Sequence, residues 1–399
     1  MSILAQSGYA RGGKVEAGLD EASIRGVIMS PRDETPSRLE SAISNWRESY
    51  PDITVLLDPQ FYVATLDEPR DGHLGDYPFY PKRTGLGRAD FSNTNIRNYV
   101  LSCLSYQESL QRDLSYHVSP TIPFSSFHDN WSEVALNMAG ESFEHHDRKS
   151  STIPLLLSLV IDEAAFNDLE ALEDFLNVLT RFDVEGFYLI ISSHNNPLGR
   201  TTDFTNMSHI LYFCYKLSEV NSYKIVMGFT DWFGLLLSAV GVQYTASGWF
   251  QNLRQFTMDR FLPKDGGRPA SKRYSSSPLL ACPLIVPDIR NIALSDRLEA
   301  VLTGSSYDQI LRSDLTGGSW TPEISCLSHW YSLNAVTSRV EGQRKLSDRL
   351  QAAELVITES LQLHSFLQAH NIELEVKTGP NHIREWQGAL AGFRAIAHI

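Results

Sequence analysis

Cysteine is scarce in this chain. Cys103, Cys214, Cys282 and Cys326 are the only four in 399 residues, far apart and with no CxxC or Cys–His spacing. Buried or free thiols are therefore expected in place of a clustered zinc or redox site. Long apolar runs are missing too. The longest, 153–161, has the length of a strand, well short of the roughly twenty residues that span a bilayer. The opening MSILAQSGYARGGK lacks the apolar core of a secretory signal, so a cytoplasmic protein with no membrane partner is expected. No GxGxxG or GxxxxGKS/T follows any apolar run, which leaves dinucleotide and nucleoside triphosphate binding without support. No cofactor and no metal are expected. A formal charge of −13 argues against a protein that coats nucleic acid non-specifically. It leaves room for a nucleic-acid enzyme with local basic tracks.

What the chain does have is 42% hydrophobic residues, with aromatics making up 11% of the whole chain, and a repeating pattern. The clearest unit is 223–256. An apolar run ends in Gly228-Phe229-Thr230-Asp231, a one-sided helix carries Trp232, Leu235, Leu236, Ala239 and Val240, and a second run over 242–247 ends at Gly248-Trp249. Strand, helix and parallel strand in about thirty residues make a βαβ unit, whose crossover is right-handed almost without exception. Further strands are read at 24–29, 53–57, 116–124, 153–161 and 186–192, with helices between them at 36–50, 95–114, 130–144, 167–182 and 205–220. The run at 153–161 is apolar throughout, as a strand buried on both faces must be. Seven such strands predict an α/β fold, a (β/α)8 TIM-type barrel with a C-terminal helical extension; a doubly wound open sheet is the alternative. The eighth strand is left open between 279–286 and the arm at 1–22. The barrel is assigned to 1–292, with inserted loops at 67–92 and 257–278, and the extension to 293–399.

In such folds chemistry sits past the carboxyl ends of the strands. Two carboxylates stand there, Asp58 after VLL and Asp162 after LVI. A charge at the end of an apolar strand is costly unless it is paired or faces a polar cavity. Both are therefore candidate catalytic groups, the other reading being a helix cap or a partner for an arginine. Asp231 reads as an N-cap. Gln60, Phe61, Tyr62, Glu163, His194, Ser247, Trp249, Gln251 and Arg254 share the rim and are candidate substrate contacts, since aromatic faces beside amide and guanidinium groups can stack on and read a planar base. Two basic tracks flank them. Lys82, Arg83 and Arg88 lie on one, Arg268, Lys272 and Arg273 on the other, and either a phosphate track or a solvated loop accounts for them.

Three of these stretches carry a resemblance. The segment 223–254, with its strand ending in MG, resembles the last two βα units of the tRNA-guanine transglycosylase barrel. VLLDPQF resembles that family's aspartate-bearing stretch after an early strand, and LVIDE its substrate-recognising Asp-Glu pair. The departures are specific. Pro59 and Gln60 follow Asp58 where the family has Ser-Gly-Gly, the family's cysteine and histidine zinc site is missing, and its nucleophilic aspartate falls near Ala246 in YTASGW, which holds no carboxylate. Without that nucleophile, water becomes the natural acceptor. The resemblance then implies a hydrolase of N-glycosidic bonds, similar to the phage-defence DNA glycosylases that excise glucosylated hydroxymethylcytosine. DNA is the implied partner. Base exchange, with Asp231 as nucleophile, and a barrel that binds nucleic acid without chemistry are the alternatives.

Overall fold

The computed structural model describes residues 2–110, 113–193, 203–263 and 271–399. Strands and helices alternate from the first residues: β1 (Ile3–Gln6), α1 (Lys14–Asp20), β2 (Gly26–Met29), α2 (Pro36–Ser49), β3 (Thr54–Leu57) and α3 (Asn93–Ser109). Next come β4 (His117–Val118), β5 (Pro123–Phe124), α4 (Asn130–Lys149), β6 (Leu155–Asp162), α5 (Leu169–Leu179), β7 (Gly186–Ser192) and α6 (Phe204–Tyr215). The series runs on through β8 (Lys224–Met227), α7 (Gly234–Ala239) and β9 (Tyr244–Ser247). Five helices follow: α8 (Arg290–Leu294), α9 (Asp308–Ser313), α10 (Pro322–Glu341), α11 (Leu346–Ala369) and α12 (Asn381–Ala397).

The pairings between these strands are all parallel, in the order β3-β2-β1-β9-β8-β7-β6-β4, with β5 continuing β4 beside β6. The two ends of this order meet. Ser115 N–H donates to the Val55 carbonyl at 2.9 Å, and Val55 N–H donates to Ser115 Oγ at 3.0 Å. Following the paired rows once round brings the chain back displaced by about nine residues, a stagger of the kind that tilts the strands of an eight-stranded barrel. The fold is a nearly closed (β/α)8 TIM-type barrel, and the open sheet is set aside.

The eighth stave comes from the arm. Every residue of β1 is buried, and it wedges between β2 and β9. Four residues beside Gly8, Gly12 and Gly13 are too few to announce a period in sequence. The competing segment, 279–286, has no place in the sheet; Leu279, Ala281 and Ile285 instead join Tyr274, Trp320 and Leu311 in a second, smaller core under the C-terminal helices. The strand read at 116–124 is broken into β4 and β5 around Pro120, which has no N–H to give a ladder.

The place of an eighth barrel helix is taken by α10. Trp330 lies so close beneath α1 that a Cβ on Gly18 would come within 2.9 Å of its ring, and its Nε1 donates to the carbonyl of Ser247 at 2.7 Å. Against α6 packs α12, where Ser208 Oγ donates to the Ala389 carbonyl at 3.1 Å. Among the described residues no helix is long and apolar enough to cross a membrane. The four cysteines are buried and unbridged.

Candidate functional site at the barrel mouth

The turn Asp58-Pro59-Gln60 leaves β3 at the carboxyl end of the barrel. Gln60 takes the left-handed conformation, φ 53° and ψ 28°, which costs an L-residue roughly 1 kcal/mol. What it secures is a set of hydrogen bonds. Its N–H donates to Asp58 Oδ1 at 3.0 Å, and its side-chain Oε1 accepts from Ser30 Oγ at 3.0 Å and from Arg32 N–H at 3.1 Å. The 3-10 turn that follows brings the Tyr62 hydroxyl back to donate to Asp58 Oδ2 at 2.9 Å.

A second tyrosine arrives from across the barrel. Along β7 the side chains alternate: Phe187 points outward onto Tyr223, while Tyr188 points inward and donates to Asp58 Oδ2 at 3.2 Å. Gly228 makes room for it, since a Cβ there would lie 2.7 Å from the Tyr188 hydroxyl. That is the physical reason for the glycine that closes the MG stretch.

Asp58 is buried. Burial pushes its pKa up to about 6, against the pull of Gln60, Tyr62, Tyr188 and the more distant Arg260 cation. Burial also raises both tyrosine hydroxyls well above their ordinary value, with the neighbouring Asp58 charge adding to it. The result is a carboxylate that is half-protonated near pH 6 and mostly ionised at neutral pH, with two hydroxyls that keep their protons. Groups of this kind cluster at functional sites.

Above this group the mouth is capped. The edge of Phe256 meets Tyr62 at 5.3 Å between centroids and Phe261 meets it at 5.9 Å. Arg260 lies over Phe229 at 4.9 Å and over Phe261 at 5.1 Å. Backbone bonds from Ser193 N–H to the Phe256 carbonyl (3.1 Å) and from Arg70 N–H to the Phe261 carbonyl (2.6 Å) hold the cap down.

Asp162 occupies a different position. Along β6 it belongs to the inward series Ser158, Val160, Asp162, and Ser158 is the row-mate of Tyr188. Asp162 is thus roughly 13 Å further along the strand than that row. Its Oδ1 accepts from Ala164 N–H at 3.0 Å, capping the turn Glu163–Asn167. The Asp58 carboxylate and the Asp162 carboxylate have separate hydrogen-bonding partners in these contacts. Glu163 sits on the same turn, partly buried, and its carbonyl accepts from Asn206 Nδ2 at 3.3 Å.

Several other candidates lie in packed layers. Phe61 is fully buried against Tyr99. Trp249 is buried against Trp330, with Nε1 donating to the Tyr9 carbonyl at 2.8 Å. Neither presents a free face for stacking a base, because each side of the barrel wall needs a large ring to fill it. Arg254 is buried, with Nε on the Gly248 carbonyl at 3.0 Å, and Ser247 Oγ meets His329 Nε2 at 3.1 Å. Gln251 is exposed on the rim. Asp231 does not cap α7 through its side chain; it pairs with buried His329 at 3.5 Å, which in turn meets Ser275 Oγ at 2.9 Å.

The basic tracks are largely engaged within the chain. Arg83 pairs with Asp90 at 2.5 Å and Arg88 with Glu133 at 3.6 Å, both exposed contacts of little strength that a phosphate could displace. Lys272 donates to the Gly317 carbonyl, and Arg273 binds Glu375 at 2.5 Å and the Cys282 carbonyl at 2.8 Å, so these two fasten the C-terminal region. Lys82 is exposed. His194 and Arg268 lie outside the described residues.

No family model matches the chain, and a search of curated proteins returned no match.

A cleft of about 640 Å³, counted to its open mouth, lies beside the Asp58 group and not over it. It opens between the ends of β7 and β8 and helices α6, α7 and α12, with Met207, Phe233 and Trp386 among its walls and Asp231, Arg254 and Gln255 at its lip. Phe229 and Phe256, 5.0 Å apart, line it and also face the barrel mouth. Sequence reading passed over Tyr188, Gln6 and Arg260 as site residues. The only signal was the presence of a hydroxyl, an amide and a guanidinium, groups that need partners once buried.

Proposed function

We propose that the protein is a hydrolase of N-glycosidic bonds acting on nucleic acid, a DNA glycosylase in the manner implied by its resemblance to the transglycosylase barrel. The observation that carries this reading is Asp58. It is a buried carboxylate at the carboxyl end of a barrel strand, with pKa about 6, anchored by two tyrosines and faced by a cation. As an anion it stabilises the positive charge that develops on the sugar when the bond between C1′ and the base nitrogen breaks. The bonding pair leaves with the base, water adds to C1′, and the proton lost by water ends on the base, giving free base and an abasic sugar.

A substrate reaches Asp58 only by displacing the cap formed by Phe256, Arg260 and Phe261, and a flipped nucleotide is the species that enters such a site. Base exchange has less behind it, since Asp231, the nucleophile it would need, is turned onto His329. The test is mass spectrometry of small molecules released from DNA carrying glucosylated hydroxymethylcytosine and from unmodified DNA. Release of free base by the wild type, and its loss in Asp58→Asn with DNA binding retained, is the expected result. Undiminished release in both Asp58→Asn and Asp162→Asn would sink the assignment, and binding without release from any DNA would favour a non-catalytic barrel.

A further inference from the structure

The cleft between β7, β8, α6, α7 and α12 is not used by the Asp58 group, and its lining has two parts. Its walls are rings: Phe229, Phe233, Phe256 and Trp386, the second and last of them 6.4 Å apart between centroids. Its lip carries one group of each charge, Asp231 and Arg254, both buried. Apolar and aromatic walls with a few convergent polar groups are the usual make-up of a small-molecule site, and about 640 Å³ lies within the range of such sites.

A chain of hydrogen-bonding side chains stands between the two charges. Asp231 meets His329 Nε2 at 3.5 Å, and His329 Nδ1 meets Ser275 Oγ at 2.9 Å. Ser275 Oγ lies 3.5 Å from Cys282 Sγ, and Arg254 Nη1 lies 4.0 Å from that sulfur. Among the described residues Arg254 has no ion pair within 4.0 Å; its strong acceptor is the Gly248 carbonyl, taken by Nε. A carbonyl and a thiol leave the charge of a buried guanidinium uncompensated, and it has five N–H donors to place. Opposite charges lining one dry cleft ordinarily close into an ion pair, since each has given up hydration. A ligand that fills this cleft therefore presents an apolar body to the rings, an anion to Arg254 and a cation to Asp231. A carboxylate matches the guanidinium fork, and an ammonium matches the carboxylate of Asp231. Both groups on one carbon, with an apolar side chain, make an α-amino acid.

We infer that the cleft binds a free α-amino acid with a large apolar side chain, its carboxylate on Arg254, its ammonium on Asp231 and its side chain among Phe229, Phe233, Phe256 and Trp386. This site stands beside the Asp58 group, and it does not depend on the reading of the protein as a glycosylase.

Isothermal titration calorimetry of the full chain tests the site part by part. The probes are L-phenylalanine, phenylpropionate (which lacks the ammonium), phenethylamine (which lacks the carboxylate) and L-alanine (which lacks the ring). Wild type is expected to bind L-phenylalanine and each of the others at least about tenfold more weakly, the worth of one charged hydrogen bond or one buried ring. Arg254→Gln is expected to weaken L-phenylalanine and phenylpropionate by about the same factor and leave phenethylamine unchanged. Asp231→Asn should give the converse, weakening L-phenylalanine and phenethylamine and sparing phenylpropionate. General loosening of the fold would not produce that crossed pattern. Phe233 is only partly buried, so Phe233→Ala spares the core; it should weaken L-phenylalanine and leave L-alanine unchanged. No binding of L-phenylalanine at about millimolar concentration, a one-charge analogue binding as tightly as the amino acid, or wild-type affinity in Arg254→Gln would overturn the inference. Where a lip variant does not fold, the series of probes on wild type and Phe233→Ala decides alone.

Discussion

Replacing Asp58 by Asn gives the sharpest physical test of the barrel mouth, whatever reaction occurs there. The native pKa is about 6 against an ordinary 3.8, raised chiefly by burial. Between those two values the native state holds a proton that the unfolded chain has released. Asp58 therefore lowers stability progressively as pH rises from about 4 to about 6, and above that the cost is constant. Two pK units correspond to about 3 kcal/mol. The whole-protein pH profile does not reveal this. His117, buried with its pKa pushed down to about 4, runs the opposite way in the same window, because there the unfolded chain holds the extra proton and stability rises with pH. The difference between wild type and Asp58→Asn cancels His117 and leaves Asp58. Urea denaturation of both proteins from about pH 4 to about pH 7 should show the mutant gaining about 3 kcal/mol relative to wild type. Asn can still accept from Gln60 N–H and one tyrosine, so the mutant should fold. A difference that stays flat with pH would refute the claim that this carboxylate ionises in a desolvated site.

Other outcomes follow from the same geometry. Tyr188→Phe removes the donor at 3.2 Å from Asp58 and should cost roughly 1.5–3 kcal/mol at neutral pH. It should also move the Asp58 transition further up, seen as a shift in the same difference titration. Gly228→Ala puts a methyl 2.7 Å from the Tyr188 hydroxyl; about 1–3 kcal/mol of destabilisation is expected by thermal unfolding, and Tyr188→Phe in the same chain should recover part of it. Trp330→Phe deletes the 2.7 Å bond from α10 to the Ser247 carbonyl and shrinks a fully buried ring, a loss of about 1–3 kcal/mol readable as a lower Tm.

Much of the barrel was legible in the linear chain because its signals are local. Runs such as 155–162 and 186–192 are apolar enough that only a strand buried on both faces accommodates them. The turn after 57 announces a rim carboxylate by placing Asp58 against VLL. Where the local signal is short or broken, the reading slipped: β1 is four residues among glycines, and β4–β5 is interrupted at Pro120. Reading aromatics as stacking faces also failed for Phe61 and Trp249, since nothing local says whether a ring faces a mouth or a neighbouring helix.

By itself, then, the order of residues determined the alternation of strand and helix, the direction of the seven strands read from it, and the end of the sheet at which polar groups collect. Hydrophobic period and turn chemistry act over a few residues, and both are written in the chain. Only the closed barrel decided that Asp58 meets Tyr188, 130 residues away, beneath an arginine from beyond the last strand. It also decided that Asp162 stands higher up and apart. Burial and mutual distance exist only once the sheet has curled on itself, and those two quantities set the pKa of Asp58.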